Sequence, residues 1–107
     1  MKHLKNIGTA VTLTIGLLAA PGIQADQALA QSKGCLACHQ VDNKVVGPAF
    51  KDIAAKYKGD APAPAMLAAK VKAGSVGTWG QIPMPPNATV SDEEANTLMA
   101  WVLSLLT

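Results

Sequence analysis

The chain holds only two cysteines, Cys35 and Cys38, three positions apart, and His39 follows the second directly in the run GCLACHQ. Two thiols and an imidazole in this order suit three kinds of chemistry. A redox-active dithiol of the thioredoxin kind needs a βαβ setting, and no alternating strand pattern supplies one. A structural zinc site takes four nitrogen or sulfur ligands, and with His3 set aside as part of the N-terminal segment discussed below, only these three remain. The third is covalent attachment of a haem through both thiols, with the histidine as the proximal iron ligand. One helical turn sets the sulfurs under neighbouring pyrrole edges and swings the imidazole beneath the metal.

A haem held by His39 has a second axial position, and no other histidine remains beyond His3. Methionine is the leading candidate. Met66 and Met99 fall on helical apolar stripes, where methionine is a routine core filler. Met84 lies instead in IPMPPN, residues 82–87, which cannot be helical and whose prolines restrict the backbone before anything binds. A stiff loop holds a weak thioether on iron with little entropy to lose, so Met84 is the expected sixth ligand.

These residues depend on elements that local signals outline. Lys2 and Lys5 precede an uncharged, mostly apolar run of 14 residues, Ile7 to Ala20, broken at once by Pro21-Gly22. At ~1.5 Å per residue this run is too short for a ~30 Å hydrocarbon core, so it reads as an export signal and not as an anchor. Residues 1–25 are expected to be a signal peptide cleaved after Ala25, leaving 26–107 as one domain.

From Asp26 a short helix is expected, with Asp26 as its cap, Lys33 in its last turn and Gly34 as the way out. Residues 41–49 form a loop. Phe50, Ile53, Ala54 and Tyr57 stand at helical spacing, with Gly59 as the stop. A further helix starts at the second proline of APAP, residues 61–64, carries Met66, Leu67 and Val71 on one face, and ends at Gly74. Residues 75–90 contain two glycines and three prolines and read as loop. In the last helix Ser91 and Glu94 form a capping box, and Ala95, Leu98, Met99, Val102, Leu105 and Leu106 make an apolar stripe that Trp101 flanks.

The fold class is all-α: about four short helices, the first and last packed together, and two long loops. So small a chain buries only ~60% of the surface that its unfolded form exposes and needs a staple, which a haem would provide. Its charge excludes one broad class of function. Nine lysines, no arginine and seven acids give +2, and loss of Lys2 and Lys5 leaves the remainder neutral, without the basic excess of a nucleic-acid binder.

With GCLACH, VGPAFKD, KAGS, TWG and IPMPPN in order, the chain resembles a small bacterial class I cytochrome c of the cytochrome c-551 (cytochrome c8) group. The resemblance covers nearly all of Asp26 to Leu106. It implies a periplasmic monohaem carrier of single electrons, not an enzyme, with haem c bound through Cys35 and Cys38 and with His39 and Met84 as axial ligands. It further implies that Pro48 accepts from the outer imidazole N–H, that Asn87 donates to the methionine sulfur, and that the Trp79 indole meets a haem propionate. Two departures stand out: Lys70 replaces an arginine that reaches a propionate in close relatives, and Gln81 replaces a proline. Lysine cannot make the same bidentate contact.

Redox partners are expected to dock at an exposed haem edge beside Leu36, Ala37, Val45, Pro85 and Pro86, with Lys33, Lys44 and Lys70 as candidate rim charges. The resemblance suggests a quinol-oxidising complex as donor and a terminal oxidase or nitrite reductase as acceptor, with the carrier itself a monomer. A small haem enzyme or gas sensor would instead keep an open sixth site, and a zinc module would contain no covalent haem.

Overall fold

Four helices and one 3₁₀ turn make up the architecture: α1 (Gly22–Ser32), the turn Cys35–Ala37, α2 (Phe50–Lys56), α3 (Ala63–Ala73) and α4 (Asp92–Leu103). The structure is a computed structural model and describes Gly8 and residues 22–106. The expected signal peptide lies outside the described residues except for Gly8 and the backbone of 22–25. Among the described residues there is no strand, only two isolated bridges, His39 with Lys44 and Ser75 with Met84. Each bridge contains one of the two expected iron ligands.

α1 begins four residues before the expected cap, so Asp26 lies inside the helix and does not cap it. Propagation adds one hydrogen bond per residue ordered, and no proline interrupts residues 22–25. The exit is as expected: Gly34 takes φ 80. α2 has no side-chain cap at Ala49. Its first amides are satisfied from the preceding loop, Phe50 N–H by Gln40 O at 2.8 Å and Lys51 N–H by Val41 O at 3.1 Å. This ties the start of α2 to the segment just after His39.

α3 carries Pro64 in its first turn and stops at Gly74, φ 83. Met66, expected in the core, is exposed. Ala63, Ala68 and Val71 are the buried residues of α3, and at 3.6 residues per turn Met66 falls on the side away from them. α4 opens with the expected capping box, Glu94 N–H donating to Ser91 Oγ at 3.1 Å and Ser91 N–H to Glu94 Oε1 at 3.0 Å.

The apolar stripe of α4 differs from expectation at two places. Trp101 is buried in the core and does not merely flank it, whereas Leu106 is exposed. The helix ends at Leu103, and Ser104 and Leu105 N–H bond three residues back, to Trp101 and Val102 O. That tighter winding turns Leu106 away from the stripe.

α4 packs against α1, α2 and α3, so the expected pairing of the first and last helices is present. Ala30, Phe50, Ala68, Val71, Leu98 and Val102 are among the side chains that close the core.

Candidate cofactor site

The turn after α1 folds the cysteine motif back on itself, Cys38 and His39 N–H both donating to Cys35 O at 3.2 and 3.0 Å. Both thiols are free; Cys35 is half-buried and Cys38 exposed. Burial pushes the Cys35 thiol pKa up, against a backbone hydrogen bond that lowers it.

His39 is buried, and its Nδ1 lies 2.8 Å from Pro48 O. A carbonyl only accepts, so Nδ1 carries a proton, and Nε2 is the ring nitrogen left to meet a ligand. The 40–49 loop returns to make this contact, with Gly47 N–H donating to Cys38 O at 2.7 Å. Gly47 permits the approach: a Cβ there would lie 2.6 Å from His39 Cε1. In sequence Gly47 is one residue of the 41–49 loop. Its place in a Gly-Pro pair shortly after the histidine was the available signal.

Met84 reaches the same region from the other long loop. Its N–H donates to Ser75 O at 2.8 Å and its carbonyl accepts from Ser75 N–H at 3.0 Å, while Asn87 N–H donates to Val71 O at 3.0 Å. Both contacts anchor the proline-rich segment to the end of α3. Gly74 makes room for them, since a Cβ there would lie 2.9 Å from Met84 O.

The side chain of Asn87 has other partners than the methionine sulfur. Its Nδ2 donates to Lys33 O at 2.9 Å, and its Oδ1 accepts from Thr89 Oγ1 at 2.7 Å. One amide proton is thereby used to fasten the loop to the end of α1, leaving the second. Lys33, expected as a rim charge, is drawn into the same clamp: Nζ donates to Thr89 O at 3.0 Å and pairs with Glu94 at 3.2 Å. A lysine satisfied in this way is a structural tie and not a free surface charge. The Ser91 amide and Lys33 together hold the Glu94 carboxyl below the usual carboxylate range.

Trp79 is partly exposed, with the Lys56 ammonium 5.7 Å from its ring centre and 5.8 Å from that of Tyr57. Among the residues expected at the docking edge, Ala37, Val45, Pro85 and Pro86 are exposed and Leu36 is half-buried.

Cys35, Cys38, His39, Trp79 and Met84 all line one cavity of about 370 Å³, as do Pro48, Lys70 and Gln81. Its volume falls in the ~300–1,000 Å³ range of ligand sites. Its walls are mostly apolar, with Leu98 and Val102 buried and the strongly exposed Val76 and Ile82 also lining it. Large apolar side chains facing a shared opening suit a flat apolar occupant. Two thiols for covalent anchorage, one imidazole with a free Nε2 and one thioether form a donor set that fits haem c. Among the described residues no three His, Cys, Asp or Glu side chains gather as a metal site.

Comparison with known proteins gives the family. Residues 23–106 match the Cytochrome c family. The chain is 58% identical over 89 residues to cytochrome c-552 of Nitrosomonas europaea, covering 83% of this chain and 86% of that protein. It is 57% identical over 94 residues to cytochrome c-551 of Pseudomonas aeruginosa, covering 86% of this chain and 89% of that one. The crystal structure of Nitrosomonas europaea cytochrome c552 superposes with a TM-score of 0.73 over 74% of this chain and 98% of that chain. The resemblance, the all-α class and the haem c cofactor read from the sequence are therefore borne out. The chain belongs to the cytochrome c family, as a class I monohaem protein that carries electrons and is not an enzyme.

Proposed function

We propose that this carrier works in the periplasm after loss of residues 1–25, moving single electrons between respiratory partners through a haem iron ligated by His39 and Met84. Cleavage after Ala25 would make Asp26 the first residue of a shortened α1, where its charge suits the N-terminal end. The observation that carries the ligand assignment is the Nδ1–H···O=C bond from His39 to Pro48, 2.8 Å, at the cavity that Met84 also lines. With the iron bound, such a bond would leave Nε2 to ligate it and would raise the basicity of the ring.

When bound, haem c supplies a one-electron Fe(III)/Fe(II) couple, and His/Met ligation raises its potential. The chain's own residues do the rest. Cys35 and Cys38 would hold the cofactor by thioether bonds, Leu98 and Val102 would exclude water from one side, and the Ser75 bridge keeps the Met84 loop in place. The remaining amide proton of Asn87 is assigned to the Met84 sulfur and the Trp79 indole N–H to a propionate. Lys70, lining the cavity, takes the place of the propionate arginine as a single point charge. The exposed patch at Ala37, Val45, Pro85 and Pro86 serves brief encounters of a monomer with a quinol-oxidising donor and a terminal oxidase or nitrite reductase as acceptor.

Met84→Ala tests this reading. The purified ferric holoprotein is expected to show a sulfur-to-iron charge-transfer band that the variant lacks, together with a lower potential. An unchanged spectrum and potential would remove Met84 as ligand, and a wild type without the band would favour an open-site haem enzyme or sensor.

A further inference from the structure

The Pro48 hydrogen bond fixes one atom of the His39 ring, but rotation of the ring plane about the Nδ1···O line stays open to a single bond of this kind. Contacts on the faces of the ring restrict that rotation. A Cβ on Gly47 would lie 2.6, 2.9 and 3.0 Å from Cε1, Nδ1 and Nε2. Near-equal distances to three ring atoms place that point over a face, not beyond an edge, so the Gly47 backbone lies over the imidazole. Phe50 provides a flat contact: its ring stacks on His39 with centroids 5.1 Å apart and planes 19° from parallel.

Phe50 is itself immobilised. Trp101 meets it edge to face at 5.4 Å and 73°, and both are buried. Its backbone N–H donates to Gln40 O at 2.8 Å, so one residue holds the ring of His39 through its side chain and the chain after His39 through its amide. Trp101 Nε1 is buried without a hydrogen-bond partner among the described residues, so its contact with Phe50 is made by the ring.

We propose that Phe50 is a positioning residue for iron ligation: its ring, braced by Trp101, sets the plane of the His39 imidazole about the Pro48 bond. The inference rests on His39 as the proximal ligand. The plane of that ring decides how its π orbital meets the iron, a property that shows in the magnetic anisotropy of the ferric protein.

The test compares ferric holoprotein variants by electron paramagnetic resonance and by the spread of the haem methyl proton resonances. Phe50→Leu keeps apolar bulk but has no flat face, and should shift both the g-values and the methyl spread; Phe50→Tyr restores the face and should return both to wild type. A Phe50→Leu protein with a lower melting temperature but wild-type g-values and methyl shifts would reduce Phe50 to packing and overturn the proposal. If Phe50→Leu fails to fold, the ferrous wild type decides. Nuclear Overhauser contacts between the Phe50 and His39 rings are expected there, and their absence overturns the proposal. A failure of the ligand assignment looks different, since the wild type would then lack the spectrum of a six-coordinate low-spin haem.

Discussion

Replacing Gly47 by alanine adds one methyl group where the imidazole leaves no room. The new Cβ would sit 2.6 Å from His39 Cε1, whereas ordinary contact begins at 3.4 Å. Ring and backbone must therefore separate by the difference, about 0.8 Å. If that movement falls on the Nδ1···O contact, 2.8 Å becomes about 3.6 Å, outside the range of a hydrogen bond. Overpacking of this kind costs ~1–3 kcal/mol, and a lost hydrogen bond adds ~1 kcal/mol. For a domain of this size each 1 kcal/mol moves the melting temperature by ~4–8 °C, so a fall of roughly 8–32 °C is expected. The weakened Nδ1–H···O bond also makes the imidazole a poorer donor to Fe(III), so the reduction potential should rise. Thermal melts of the holoprotein and a spectroelectrochemical titration read the two effects. Gly59→Ala is the control: its φ of 77 strains any side chain, but nothing lies within 4 Å of the added Cβ. It should lose ~1–2 kcal/mol of stability and leave the potential alone. A Gly47→Ala protein with wild-type melting and potential, or one no different from the Gly59→Ala control, would refute the reasoning.

Two further expectations concern the start of α4. Ser91→Ala removes the side-chain acceptor for Glu94 N–H and should cost ~1 kcal/mol, read as a fall in denaturation midpoint with an unchanged slope. Folding lowers the Glu94 pKa through the Ser91 amide and Lys33, so the stability it contributes is fully present above the ordinary glutamate value of ~4.3 and disappears as pH falls through its folded value. Glu94→Gln should flatten that part of the acid limb in a pH series of melts; an identical limb would show that the clamp with Lys33 carries no linkage.

Where chemistry is local, the sequence was legible. The Ser91–Glu94 box, the stops at Gly34 and Gly74, and the proline-bound loop around Met84 all depend on neighbours within a few residues and stand where expected, whereas α2 ends at Lys56, short of the stop expected at Gly59. The cysteine motif is of the same kind, because a single turn brings its three reactive groups together. Misjudged residues are those whose role depends on a distant partner. Met66 and Trp101 each sit beside apolar neighbours in sequence, and only the placement of the other helices turns one outward and the other in. Lys33 resembles a solvated charge until Asn87, Thr89 and Glu94 are brought to it from more than fifty residues away.

Residue type and short-range spacing thus determined what this protein binds and which atoms are proposed as iron ligands, since covalent attachment and backbone stiffness are properties of the chain itself. The tertiary structure alone decided how the ligands are held. Gly47 lies over the imidazole and Phe50 stacks on it because α2 is carried back across the cysteine motif. Contacts between ring faces depend on three-dimensional approach, which no linear spacing encodes.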